Sequence, residues 1–345
     1  MSLLWTRTRI LPFVIFVLPW VILGFMSPSP SHGASYYEGK MVTIVVGYKP
    51  GGGYDRYARL LAKHLPKYLP GSPVVVIQNM PGGGSIIAAN HIYAVAKPDG
   101  LTIGTFNNAL VIAQLIKHEG AKFDITKFAW IGSVASDASV LAVRSELPYK
   151  STDELRKAKE PVILGATGVA DTSYIFPQFL KEFAGFNFKM VTGYSSSSDI
   201  MLAIERKEVD GRAGSYASLL PFIERGLVRP LIRSRVSAPG IEKLPIDENL
   251  ATDAKGKAIM AVRTAPTLIY RPFVASPGTP AETMKMLRDA FARATRDKEL
   301  LAEAEKAKMP IDYFGAEESL KVIHAVLNQT PEMVQEITKY MQFGE

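Results

Sequence analysis

The phrase Pro-Gly-Gly-Gly occurs twice, at residues 50–53 and 81–84, and each copy closes a β-branched run. The first run is Val42-Thr43-Ile44-Val45-Val46 and the second Val74-Val75-Val76-Ile77. After each phrase comes a stretch with helical periodicity. Two strand–glycine loop–helix units of this kind place two sets of bare backbone N–H groups, at two helix N-termini, on one edge of one sheet. Such an edge can hold an anion with neither a metal nor a charged side chain. The glycines can equally be plain turns.

The spacing of apolar residues predicts helices over 54–69, stopped by Pro70-Gly71, and over 85–96, ended by Pro98-Asp99-Gly100, with a strand over 101–106 after them. Regular alternation from residue 40 to about 142 implies parallel pairing with right-handed crossovers. A second α/β block begins near Ser145. It holds strands over 161–164, 188–192 and 209–213, helices over 172–183, 200–207 and 218–225, and polar loops at 165–168 and 194–199. Residues 235–265 read as irregular. Extended segments at 267–270 and 273–275 follow, then helices over 281–295 and 298–308 and one over 316–340 broken near Pro331. A chain of 345 residues can build two α/β domains with ordinary cores.

The first 34 residues differ from the rest. Arg7 and Arg9 precede a 17-residue apolar run over 10–26, then a Ser/Pro stretch ending at His32-Gly33-Ala34. A basic start, apolar middle and small-residue exit read as a secretory signal peptide cleaved near residue 34. An uncleaved anchor is the alternative, against which Pro12, Pro19, Gly24 and the short length argue. With no cysteine, the chain lacks disulfides, a lipid-anchor cysteine, thiolate metal sites and a cysteine nucleophile. The formal charge of +7 suits an anionic small molecule, and no Lys/Arg stripe interleaved with aromatics marks a nucleic-acid surface.

Enzyme chemistry finds little footing. A dinucleotide fingerprint fails at both loops, where Arg56 and Ile87 stand in place of the third glycine. No two of His32, His64, His91, His118 and His324 have metal-ligand spacing, so no metal or other cofactor is expected. The run Ser195-Ser196-Ser197-Ser198 lacks a Gly-x-Ser-x-Gly frame and reads first as a helix-capping loop, second as a source of ligand contacts. Asp55 is either a first-turn acid favoured by the helix dipole, an acceptor for a ligand, or an organiser of its loop. Tyr54 is a pocket wall or a core aromatic.

These motifs resemble the periplasmic substrate-binding proteins of tripartite tricarboxylate transporters, the Bug-type receptors. The carrying residues are Pro50-Gly51-Gly52-Gly53-Tyr54-Asp55 with Ala58-Arg59, then Gln78-Asn79-Met80-Pro81-Gly82-Gly83-Gly84-Ser85, Ala88-Ala89-Asn90 and Lys97 through Thr105. Later echoes are Gly165-Ala166-Thr167-Gly168, Thr172-Ser173, Val209-Asp210 and Ala275 through Pro280. The resemblance implies a two-domain α/β fold like type II periplasmic binding proteins, a Venus flytrap with the ligand cleft between domains. The chain would cross near 141–144 and 267–271, giving one domain from 36–141 plus 269–345 and a second from 142–268.

It further implies a non-enzymatic receptor that captures a small carboxylate (a di- or tricarboxylate, or an aromatic acid) and delivers it to membrane permease subunits. A periplasmic sensor for a signalling partner is one alternative, and an enzyme acting on a carboxylate another. By the resemblance, a ligand carboxylate sits on backbone N–H groups of the two loops, partly through water. This implicates Gly52, Gly53, Tyr54 and Asp55 with Gly83, Gly84 and Ser85. From the facing domain come Thr167, Gly168, Asp171, Thr172, Ser173, Tyr194, Ser215 and Tyr216. Where relatives commonly read Tyr-Lys-Gly-Gly, this chain has Tyr194 followed by four serines, and Tyr54 replaces a small hydroxyl residue.

Overall fold

The two β-branched runs become neighbouring parallel strands, β1 (Met41–Val46) and β2 (Val74–Asn79), in register from Met41 opposite Val74 to Val46 opposite Asn79. In β1, Val42, Ile44, Val45 and Val46 are all buried, as expected of a strand covered on both faces. The computed structural model describes Ser2 and residues 35–341; apart from Ser2, the expected leader lies outside the described residues. Among those described, no helix is long and apolar enough to cross a membrane.

The strands that follow are β3 (Thr102–Thr105), β4 (Ala129–Ala135), β5 (Ser139–Arg144), β6 (Val162–Gly165), β7 (Phe188–Val191), β8 (Gly211–Ser215), β9 (Val228–Arg233), β10 (Tyr270–Ala275) and β11 (Phe314–Gly315). They form two sheets, ordered β11-β4-β10-β3-β1-β2 and β7-β6-β8-β5-β9. The chain passes from the first sheet to the second at residues 136–138 and returns between β9 and β10. The outward passage thus precedes residues 141–144, which lie inside β5.

Parallel pairing holds for β1 with β2 and β3, and for β6 with β7 and β8. Both sheets are nonetheless mixed. β10 runs antiparallel to β3 and β4, and β5 antiparallel to β8 and β9. These are the strands entered from the opposite sheet. No helical crossover within one sheet precedes them, so the rule that forces parallel pairing does not bind them.

The helices of the α/β alternation form where the periodicity places them, including Gly53–His64, Ile86–Ala94, Thr172–Ala184, Ser197–Glu205 and Tyr216–Glu224. One correction concerns the segment expected to be irregular: Ala254–Thr264 is a helix, N-capped by Asp253, whose carboxylate accepts the Gly256 N–H at 2.7 Å. The last helix, Pro331–Tyr340, rests on Thr172–Ala184. Gln178 Nε2 donates to the Tyr340 carbonyl at 3.1 Å, and the Phe183 and Tyr340 rings meet edge to face.

Candidate functional site

Loops at the strand ends of the two sheets face each other, the place where open α/β sheets hold ligands. Between them lies a small cavity of about 40 Å³. From the first sheet's side it is lined by Tyr48, Gly52, Gly53, Tyr54, Asn107, Tyr270 and Arg271. From the second come Thr167, Asp171, Thr172, Ser197, Arg212, Gly214, Ser215 and Ser218.

The first glycine loop reaches this cavity through its backbone. Gly51 has φ of +94°, a left-handed turn that glycine enters without steric cost. Gly52 caps the helix Gly53–His64 with no side-chain hydrogen bond, leaving the first-turn N–H groups free of a capping side chain. A Cβ on Gly53 would stand 2.4 Å from Ser218 Oγ and 2.9 Å from Arg271 Nη2, so the loop touches its opposite wall only because it is bare. Asp55 stands behind the loop and organises it. Its carboxylate accepts the Gly51 N–H at 2.9 Å, Arg59 Nε at 2.8 Å and Asn79 Nδ2 at 2.9 Å. Tyr54 stacks on Tyr48 at 4.9 Å and lies 6.5 Å from Tyr270, giving the cavity an aromatic wall. Burial pushes the Tyr48 and Tyr54 phenols well above the ordinary tyrosine value, so both stay protonated and can donate.

The second glycine loop does something else. Gly82, Gly83, Gly84 and Ser85 all have positive φ (+135°, +57°, +61° and +79°). None of the four lines the cavity. The loop instead abuts the facing loop, where a Cβ on Gly168 would lie 2.5 Å from the Gly84 nitrogen. Ser85 Oγ accepts the Asn107 N–H at 2.8 Å and thereby fixes a residue that does line the cavity.

Across the gap, Asp171 caps the helix Thr172–Ala184. One carboxylate oxygen accepts Ser173 N–H at 2.7 Å and Ser173 O–H at 2.5 Å. The other accepts the Tyr48 phenol at 2.5 Å and Asn107 Nδ2 at 2.6 Å, both from the first sheet's side. Four donors therefore saturate Asp171, and two of them bind the halves of the molecule together. Ser173 Oγ also accepts the Thr167 N–H at 3.1 Å.

Two arginines complete the site. Arg271 follows the return passage with φ of +61° and is 1 % exposed. It pairs with Asp137 of the outward passage at 3.3 Å and donates to Ser215 and Ser218 hydroxyls at 2.9 and 3.2 Å. The two connections between the sheets are thus locked by one ion pair. Burial works against the Arg271 charge, but the surrounding tyrosines and Asp137 outweigh it, with the Tyr57 ring 4.1 Å away. Arg212, 6 % exposed, donates from Nε to the Ala213 carbonyl at 3.2 Å and from Nη1 to the Ser197 carbonyl at 3.5 Å. Burial lowers its affinity for its proton.

Of the residues expected from the sequence, the cavity brings together Gly52, Gly53, Tyr54, Thr167, Asp171, Thr172 and Ser215. Asp55, Ser85 and Ser173 support that set from behind, and Gly83, Gly84 and Gly168 form the seal beside it. Tyr194 packs near Gly165, and Tyr216 turns away to donate to the Pro239 carbonyl at 3.0 Å. Sequence reasoning missed Tyr48, Asn107, Arg212, Gly214, Ser218, Tyr270 and Arg271. The available signal was an arginine inside each of two otherwise apolar or small-residue strands, β8 and β10.

Two mixed sheets joined by two passages, with a cavity enclosed between their loops, define the fold of periplasmic binding proteins. The sequence model of the family described as "Tripartite tricarboxylate transporter family receptor" matches residues 57–339, and the chain belongs to that family. A Cupriavidus necator relative, named "UPF0065 protein in gbd 5'region", is 27% identical over 277 residues, 79% of this chain and 80% of the relative. Among solved structures, the periplasmic binding protein BugD superposes with a TM-score of 0.72 at 20% identity, over 87% of this chain and 97% of BugD. MatC from Rhodopseudomonas palustris, solved with bound malate, gives 0.69 at 18% identity, over 88% of this chain and 99% of MatC.

Proposed function

We propose that this chain is an exported periplasmic receptor that captures a small carboxylate between two closing domains and passes it to membrane permease subunits of a tripartite transporter. The domains would be residues 36–138 with 269–345, and 139–268, the first boundary lying ahead of 141 because β5 pairs with β8 and β9; they would hinge where Asp137 meets Arg271, with the helix Pro331–Tyr340 lying on the second domain. The observation that carries the reading is the cavity walled by the bare backbone of Gly52 and Gly53 on one side and by buried Arg212 on the other. Helix-end N–H groups and a desolvated guanidinium both favour an anion. The malate held by MatC supports a carboxylate over other anions. Nothing in the cavity requires turnover: Asp171 is saturated, Asp137 is paired, and the family is one of receptors, not enzymes.

Binding that links both domains favours the closed state by the ligand's differential affinity for it. A thermal-shift screen of the purified protein against carboxylates and their uncharged amides tests this. A carboxylate at a hundred times its dissociation constant should add about 2.7 kcal/mol, raising the melting temperature by several degrees on the rough scale of 2–4 °C per kcal/mol. Amides should shift nothing. Equal shifts from acids and amides, or none from any acid on protein shown by mass spectrometry to carry no bound acid, would overturn the reading.

A further inference from the structure

The Asp171 carboxylate stands where the two halves of the molecule meet and makes the contacts a bound acid would make. It is 5 % exposed and lines the cavity. Helix capping accounts for one of its oxygens, which Ser173 occupies. The helix makes no use of the other oxygen, whose donors, Tyr48 and Asn107, both come from the opposite side of the gap. Those donors are tied together, Asn107 Nδ2 donating to the Tyr48 phenol oxygen at 2.9 Å. Hydrogen bonds to an ionised acceptor are roughly twice as strong as neutral ones. Other contacts over the gap are weaker in kind. Lys49 N–H donates to the Ser195 carbonyl at 3.2 Å, a neutral bond, and the ion pair of Lys308 with Glu224 is exposed.

Arg212 extends the likeness. Its guanidinium donates only to the Ala213 and Ser197 carbonyls, and the negative charge that most offsets its burial is that of Asp171, acting across the cavity. A solute acid in the same cavity would meet the same buried cation. We propose that Asp171 is a tethered stand-in for a solute acid group, its carboxylate filling an acid-binding position and clasping the empty receptor shut through Tyr48 and Asn107. A solute enters or leaves only when the clasp opens, so Asp171 governs the rate of exchange. Because the clasp holds the closed form with or without solute, it changes the affinity less than the rate. The inference rests on the receptor reading above for the opening motion and deepens it.

X-ray scattering in solution and thermal melting test it on purified protein shown by mass spectrometry to carry no bound acid. Formate is the probe, with formamide and sodium chloride as controls. The empty wild type should have the radius of gyration of this closed form. Asp171→Ala should be larger and melt lower, since it loses clasp and helix cap together. Formate carries the carboxylate that the substitution removes, so it should return the variant to wild-type size and raise its melting temperature; formamide and salt should do neither. The variant should bind formate about tenfold or more tightly than the wild type does. Tyr48→Phe keeps the helix cap and removes one donor of the clasp, so it should also expand, with a smaller loss of melting temperature. An empty wild type already expanded, or both variants as compact as the wild type, would show that Asp171 caps its helix and clasps nothing. Should Asp171→Ala not fold, the size of Tyr48→Phe decides alone. Formate acting equally on wild type and Asp171→Ala, or on neither, would overturn the stand-in. Each of these failures leaves the receptor reading standing, because that reading is judged by the carboxylate shifts of the wild type.

Discussion

The two Pro-Gly-Gly-Gly loops share a phrase, yet the fold uses their glycines for opposite properties. In the first, Gly51 alone takes a positive φ, while Gly52 has φ of −78° and Gly53 begins a helix, conformations that any residue can adopt. What matters there is the missing side chain: a Cβ on Gly52 would meet Ser197 Oγ at 3.0 Å, and one on Gly53 would meet Ser218 Oγ at 2.4 Å. In the second, four consecutive residues hold positive φ, and the glycines supply a backbone path that side chains disfavour. The first loop walls the cavity; the second seals its margin against Gly168 and Asp171. A repeated motif therefore identifies repeated local geometry, while the surface each copy faces decides what the bare backbone does.

Valine at position 53 puts the largest strain on that contrast. Its Cβ collides most closely with Ser218 across the gap, at 2.4 Å, and less closely with the tip of the Arg271 side chain on its own side, at 2.9 Å, so most of the penalty falls on closure and the helix is spared. Overpacking costs about 1–3 kcal/mol, which lowers apparent affinity through the closed-state population by roughly five- to more than a hundredfold. Titration calorimetry with the best-binding acid should show that loss in Gly53→Val, with the unliganded melting temperature close to wild type. Gly84→Ala should behave differently. Its φ of +61° costs an alanine about 1–2 kcal/mol, and its Cβ would stand 3.0 Å from that of Asp171. Stability and affinity should then fall together, the affinity by about tenfold or less. If both variants lose binding alone, or both lose stability first, the two loops are equivalent and the distinction drawn here is broken.

The same contrast explains what was legible in the sequence. Strands announced themselves because β1 and β2 are unbroken β-branched runs, and helices because their apolar faces recur at helical spacing. The helix Ala254–Thr264 was hidden because its buried positions include Gly256, Arg263 and Thr264, which carry no apolar stripe. The glycine loops were visible as loops, but the cavity wall on the far side was only half visible. Ser215 and Tyr216 are adjacent at the start of a helix, and one enters the cavity while the other points to Pro239. Periodicity cannot resolve such a turn. Arg212 and Arg271 were overlooked because glycine and tyrosine neighbours made their segments read as plain strand, although a charge inside such a segment must find a partner once buried.

Asp55 offers the smallest effect and the finest test of the first loop. Its side chain lies outside the cavity, so Asp55→Asn should change the dissociation constant by no more than about threefold. The cost should appear in stability instead, at about 1–2 kcal/mol for weakened charge-assisted hydrogen bonds to Gly51, Arg59 and Asn79. Burial pushes the Asp55 carboxyl upward, but those three donors outweigh it and hold the group below the usual carboxylate value. A lowered native value means the ionised carboxylate stabilises the fold fully above the unfolded-chain value, about 3.9, and progressively less as pH falls through the native one. Denaturant midpoints for wild type and Asp55→Asn should therefore differ at pH 6 and converge as the pH falls to 3 and below. A gap that persists undiminished at acid pH would show that Asp55 holds the loop by shape alone and that its charge contributes nothing.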